Sequence, residues 1–505
     1  MTHNSYVRSA ESPRGRSTVS KIALGAAVAA GIALTGAPAS AQPKNTTQEV
    51  AVRLNGSSTI GSKMALNLAQ AWAKQLKLSG IRVDAGSDPD EYEVVAEGAE
   101  STHRMRVKVQ SKGTGYGLEP MLRGQTDFWV ASRPVQEADL EAMRKKGVPN
   151  VPTYAQMTAP GIENVIALSA MAVIVNSKNP VPALSYQQLR DMYSGRATSW
   201  AQVGGPSNLP IGLYSPEPTL ATADFFCSTI MGNKDTAKCL DGFARLAAPR
   251  ILMMEDVSDA VAGNPAGVSF IDFSAKRSAR PVPLATDCGT GIEPSLFRIK
   301  TDEYPLTRKH YFYINPARPL SPAARDFLQL TLSPTGQAAA TAAGLADLQP
   351  SVSDPNYASD RLDTVRDAMD GGRTRVRASD VRAFENAIVG ADRLTVTFHF
   401  QAGTNNLDAR AEADLARLVA QMQQPPYSQS DLVLIGYSGV TGDYTENRNL
   451  SRERADAVKE RLVASGIKPA ATLGVGPAAA VACNLDATTG PLNQRVEVWM
   501  RKPRG

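Results

Sequence analysis

Three short stretches hold the residues best suited to chemistry. Asn55–Lys63 reads NGSSTIGSK, Ser111–Gly117 reads SKGTGYG, and Ala131–Val135 reads ASRPV. They offer hydroxyls at Ser57, Ser58, Thr59, Thr114 and Ser132, an unencumbered backbone at Gly115, and a guanidinium at Arg133. Hydroxyl residues and glycine opening a helix present O–H and N–H donors where partial positive charge collects, which suits an anion. Arginine adds two parallel donors that match an oxyanion. A single Ser/Thr/Gly cluster also serves as an ordinary helix cap. Three of them on strand ends favour the anion, because open α/β sheets take ligands at the carboxyl ends of their strands.

The anion is then either a cofactor pyrophosphate or a free oxyanion. Gly113, Gly115 and Gly117 give G-x-G-x-G, which departs from the dinucleotide spacing G-x-G-x-x-G. The acids about 20 residues on, Glu137 and Asp139, follow Pro134 and open a helix, whereas a ribose partner ends the next strand. There is no G-x-x-x-x-G-K-[ST] loop, and GYSG at Gly436 lacks the closing glycine of a nucleophile elbow, holding Val440 there. His3, His103, His310 and His399 are the whole histidine complement, too few for a zinc site without a C-x-x-C pair. These features argue against an enzyme and imply no cofactor and no metal.

The elements that position the loops alternate. Met105, Val107 and Val109 interleave with polar residues, the period of a half-exposed strand. Ile60, Met64, Leu68, Trp72 and Leu76 recur every four residues, an amphipathic helix. Val165–Val175, VIALSAMAVIV, suits a strand buried on both faces. The fold class read from this is α/β over 48–349, with a small α+β domain over 391–503. The stretch 350–390, polar and broken by Pro355 and Gly371-Gly372, reads as a linker with some helix. In the last domain TVTFHF, LVLIGYS and VEVWM read as strands, and Ser451 as the cap of a helix ended by Gly466 and Pro469.

Compartment and partners follow from the ends and the charges. Arg8, Arg14, Arg16 and Lys21 precede an apolar run, Ile22–Leu34, closed by Ala39-Ser40-Ala41, which predicts a secretory signal over 1–41. No later segment is long and apolar enough to span a membrane. Beyond residue 41 the chain carries 50 basic and 48 acidic residues, a balance that argues against nucleic acid as a partner. The four cysteines are Cys227, Cys239, Cys288 and Cys483. In an oxidising compartment Cys227 and Cys239 are close enough to close one short loop, and Cys288 with Cys483 follows only by exclusion.

NGSSTIG and GTGYGLEPMLRGQTDFWVASRPV resemble the periplasmic phosphate-binding proteins of the PstS type. So do Met171–Gly205, YPLTRKHYFYINP at Tyr304–Pro316, and Ala324–Gly344. The resemblance implies a two-lobed binding-protein fold, phosphate or a related oxyanion in the cleft, and an ABC permease as partner. It implies Ser58, Thr59, Thr114, Ser132 and Arg133 as ligand donors, with Ser57, Gly115 and Thr222 beside them. The family's S-G-T-R-x-x-F loop falls on LATADFF, Leu220–Phe226, where Thr222 and Phe226 match but Leu220, Ala221 and Ala223 replace serine, glycine and arginine. An altered ligand, or an envelope adaptor that binds none, is the alternative this departure leaves open.

From Leu394 to Met500 the chain resembles the OmpA-like peptidoglycan-associated domain. Gly436, Gly442, Asn447, Leu450, Ser451, Arg454 and Ala455 match its motif. The resemblance implies peptidoglycan as partner, with Asn447 and Arg454 at the site and a location in the periplasm near the wall or outer membrane. Arg454 is present to receive a carboxylate, whereas Gly439 stands where the family has the aspartate that takes the ammonium.

Overall fold

The computed structural model describes residues 48–501 apart from 99–102, 206–208, 218–220, 234, 246–248, 286–290, 371–376, 402, 440–441, 479–480 and 482–489. The expected signal (1–41), Leu220, Val440, Cys288 and Cys483 therefore lie outside the described residues. β1 (Gln48–Gly56) leads through a π-helical turn at Ile60–Met64 into α1 (Ala65–Gln75). Ile60, Met64, Leu68 and Trp72 are all buried, so the four-residue stripe faces the core. β2 (Ser79–Ala85), β3 (Glu91–Glu97) and β4 (His103–Gln110) follow. In β4 the buried Met105, Val107 and Val109 alternate with half-buried polar neighbours. Next come β5 (Phe128–Ala131), α2 (Glu137–Lys145), β6 (Glu163–Val175) and α3 (Ala221–Thr229). β7 (Gly267–Asp272), α4 (Leu296–Lys300) and β8 (Thr307–Tyr313) follow, and the helices Pro322–Leu332 and Pro334–Ala342 end this part.

One ten-stranded sheet runs β2-β3-β4-β1-β5-β8-β6-β7, with Gly212–Leu213 beyond β7 and Arg280–Pro281 against β6. β4, β1 and β5 are mutually parallel. β8 is antiparallel to both β5 and β6. β6 is shared between two halves: residues 163–170 pair with β8, and 171–175 pair with β7. That dual role explains its near-continuous apolar run, broken at Ser169, since both faces and both ends meet other elements. One core packs α1 and Phe312, Phe327 and Leu330 on the first half. The second half stacks Phe226 on Phe270, ring centroids 3.8 Å apart, with Tyr193 and Phe243 around them. There Cys227 and Cys239 form a disulfide that ties α3 to the helix Thr236–Arg245.

The C-terminal part comprises α5 (Tyr357–Asp370), α6 (Ala378–Ile388), β9 (Ala391–His399), α7 (Ala409–Met422), β10 (Asp431–Gly436), α8 (Tyr444–Ala464), β11 (Ala471–Gly474) and β12 (Arg495–Arg501). Its sheet order is β9-β12-β10-β11. On one face α7 and α8 bury Leu415, Leu418, Val458 and Leu462 against Leu394, Val396 and Phe398. On the other, α5 and α6 bury Val365, Phe384 and Ile388 against Val433, Ile435 and Trp499. The stretch 350–390 is thus not a linker. Its polar residues hide an apolar stripe that covers a sheet face otherwise left in water. Ser451 is likewise not a cap. α8 starts two turns earlier, where the Asp443 carboxylate accepts N–H bonds from Thr445 (2.8 Å) and Glu446 (3.0 Å). Ser451 lies inside the helix, its Oγ donating to Arg448 O and accepting from Gly476 N at 3.0 Å.

Candidate functional site

Because β4, β1 and β5 are adjacent and parallel, their carboxyl ends emerge side by side. The loops that follow them carry Ser111–Gly115, Ser57-Ser58 and Ser132-Arg133 into one cavity of about 720 Å³. Close approach of β1 to β5 depends on Gly56, at φ +139°, where a Cβ would sit 2.0 Å from Val130 O. Ser57 N donates to Val130 O and Gly113 N to Gly56 O, each at 2.8 Å, which fixes the three loops to one another. Thr114 Oγ1 accepts from Ser132 N at 3.1 Å and lies 3.0 Å from Ser132 Oγ. Trp129 Nε1 holds the Thr114 carbonyl at 2.7 Å. Gly115 has nothing within 4 Å of a built Cβ, so its backbone is accessible. Ser57 Oγ is buried and makes no hydrogen bond within the protein. A buried hydroxyl of that kind is a donor suited to a ligand oxygen.

The charges in the cavity come from both halves. Arg133 is gripped bidentately by Asp139, at 2.7 and 2.8 Å, which raises its pKa further. Asp139 also accepts from Gln136 N at 2.9 Å, so the start of α2 anchors the guanidinium. Lys112 reaches the wall but is paired with Asp88 at 2.8 Å and Glu91 at 3.0 Å. Arg308, on β8, is the group the sequence reading missed. It is buried, bonded to Asp272, set 5.2 Å over the Phe225 ring, and its Nε makes no hydrogen bond within the protein. No glycine or hydroxyl cluster surrounds it; the only signal was Arg308-Lys309-His310 inside an otherwise apolar strand.

Thr59 and Thr222 do not line the cavity. Thr59 precedes the π-helical turn, and Thr222 is buried within α3 with its Oγ1 lacking a hydrogen bond. α3 turns Ala221, Asp224, Phe225 and Ser228 to the cavity instead. The opposing wall therefore offers a carboxylate and a hydroxyl where the arginine of the resembled motif is replaced.

In the C-terminal part, Arg454 is buried under the ring of Phe400 at 5.0 Å. Its Nη2 donates to Gln494 Oε1 at 3.1 Å, while Nε and Nη1 have no partner within the protein. Burial without a carboxylate lowers its pKa. Asn447 is half-buried on the same helix, and Gly439 lies in the loop three residues beyond β10. Asp443 is engaged in capping α8, so it is not a free substitute for the missing acid.

Residues 40–335 match the PBP superfamily domain, more than half of the chain. The chain belongs to the PBP superfamily. Residues 399–489 of this PBP protein match the OmpA family. It is similar to Protein SphX of Synechococcus elongatus, 27% identical over 256 residues, covering 48% of this chain and 70% of that protein. It is similar also to the phosphate-binding protein PstS of Staphylococcus saprophyticus, 27% identical, covering 49% of this chain and 73% of that protein. Among solved structures it resembles an ABC-type phosphate transport receptor from Vibrio cholerae, 18% identical, covering 58% of this chain and 98% of the other, with a TM-score of 0.42. The chain thus joins a PBP-superfamily domain to an OmpA-family domain.

Proposed function

We propose that the chain captures phosphate or a related oxyanion in the cleft, in the periplasm, and that its OmpA-family domain holds it at the cell wall. The observation that carries this is the convergence of Ser57, Ser58, Thr114, Gly115, Ser132 and Arg133 on one cavity, with Arg308 added from β8. Two guanidiniums and a set of hydroxyl and N–H donors can replace the hydration shell of a dehydrated oxyanion. Delivery to an ABC permease is part of this reading and rests on the resemblance of the sequence to the PstS type. Asp90 and Asp224 in the wall supply the acceptor that a protonated phosphate needs and a sulfate cannot satisfy.

A second reading is favoured by α3, which brings Asp224 and no cation. In it, the fold serves as an envelope adaptor without a ligand. Calorimetric titration of the purified chain with phosphate, sulfate and arsenate separates the two. Saturable heat with phosphate and arsenate but not sulfate is expected; no heat with any anion would leave the adaptor. For the wall, Arg454 offers unpartnered donors to a peptide-stem carboxylate. Arg454→Leu is expected to reduce co-sedimentation with purified peptidoglycan, and Gly439→Asp to increase it.

A further inference from the structure

β2 closes one side of the ten-stranded sheet, and no other strand among the described residues pairs with its outer side: all seven of its residues, Ser79–Ala85, are exposed. Ile81 and Val83 are 36% and 51% exposed, although both are residues that strands normally bury. The stretch SGIRVDA contains no proline and no lysine, the usual guards of an open edge. Its pairing with β3 sets the phase of that edge. Gly86 N donates inward to Glu91 O at 2.8 Å, and the register, which shifts between Ser79 and Arg82, runs without a break from Arg82↔Val95 to Ala85↔Tyr92. Positions 82 and 84 therefore bond inward, and the N–H and C=O groups of Val83 and Ala85, with the C=O of Ile81, point to the free side.

We propose that this edge pairs with the same edge of a second copy, antiparallel and centred on Val83. In that register Val83 exchanges both backbone bonds with Val83 of the second copy, and the Ala85 N–H faces the Ile81 carbonyl of the other copy twice. Arg82 falls opposite Asp84 of the second copy, and Asp84 opposite its Arg82. Those two pairs occupy the non-hydrogen-bonded positions, where cross-strand side chains stand closest and opposite charges stabilise. The strand is thus self-complementary in backbone and in charge, as a two-fold interface requires. Arg82 now bonds Asp84 at 3.2 Å and Glu97 at 3.3 Å across exposed surface, contacts it can exchange for the cross-strand partner.

The test is sedimentation equilibrium of the purified chain and three variants. The unaltered chain is expected to form a dimer. Arg82→Asp and Asp84→Arg each place like charges opposite one another and are expected to be monomers. Mixed in equal amounts, these two variants restore both opposite-charge pairs and are expected to form a mixed dimer. Val83→Pro, which removes an outward N–H, is expected to be a monomer whose circular dichroism matches the unaltered chain. An unaltered chain that stays monomeric, as it would if the edge accepts a strand from a different protein, overturns the proposal. So do a dimer indifferent to the charge substitutions and two variants that fail to associate when mixed.

Discussion

Arg133 and Arg308 face the same cavity under different constraints. Arg133 keeps an internal carboxylate, Asp139, on both terminal nitrogens, so the ligand must share it or use what that pair leaves. Arg308 is more deeply buried and keeps an unpartnered Nε. A charge-assisted bond contributes about 1.5–3 kcal/mol. Arg308→Gln is therefore expected to weaken phosphate binding by roughly ten- to hundredfold, read by calorimetry. Arg133→Ala is expected to abolish binding, and to do so without loss of fold, because the contacts released are its ion pair with Asp139 and its bond to the Pro134 carbonyl at the cleft. Unchanged affinity in both variants would remove this cavity as the anion site. The hydroxyl and glycine residues that line the cavity, though not Thr59 or Thr222, were legible in the sequence because such loops need small residues at fixed places along the chain. Arg308 was not, because its position is set by the pairing of β8 with β6, more than 130 residues away.

At the scale of elements, the same contrast recurs. The stripes of α1, β4 and β6 were readable because each buries a periodic face. α5 and α6 were not, because their polar composition conceals the positions that meet Trp499 and Ile435. The layer they form encloses a carboxylate, Glu497, fully buried among Arg393, Arg495 and Arg361. The three guanidiniums outweigh the desolvation of the acid and hold its pKa far below the ordinary carboxylate range. Tyr437 OH and Trp499 Nε1 donate to its Oε2 at 2.9 and 3.1 Å. Removing the acid takes from three buried guanidiniums the carboxylate they share, so Glu497→Gln is expected to destabilise by about 3–5 kcal/mol. The sign with pH follows: this stabilisation is fully present above about pH 4.3, the unfolded value, and is lost as pH falls toward the depressed folded one. The variant should lose that acid limb in a plot of chemical denaturation against pH; retention of it would assign the limb to other carboxylates.

The whole molecule is joined where the strand that supplies Arg308 meets the C-terminal domain. Residues 308 and 309 point to opposite faces of β8, so Lys309 leaves the cleft and bonds Asp302 at 2.5 Å. Arg410, on α7, approaches Asp302 at 3.9 Å and donates to Lys300 O at 2.5 Å. Tyr357 OH adds bonds to Glu303 at 2.9 and 3.0 Å. The OmpA-family domain is therefore seated on α4 and on the strands β6 and β8 that run along the cleft-bearing sheet. Glu163, at the start of β6, lies in the same region: burial, and then the Asp408 charge at the start of α7, push its pKa up to about 7 despite the bond from Tyr313 OH. A raised carboxyl favours the protonated form in the folded state, so its contribution is fully present below about pH 4.3 and is lost as pH rises toward 7. Glu163→Gln keeps the neutral shape and should raise the melting temperature at pH 8 while leaving it unchanged at pH 4. Arg410→Ala tests the seat itself. It leaves Asp302 and Asp414 without the guanidinium between them, and the domain loses its bond to Lys300 O. Calorimetry of the full chain should then show the C-terminal domain melting as a separate, earlier transition, with phosphate shifting only the later one. A single transition that still moves as a whole with phosphate would mean that the two domains are held together by their apolar contacts rather than by this cluster.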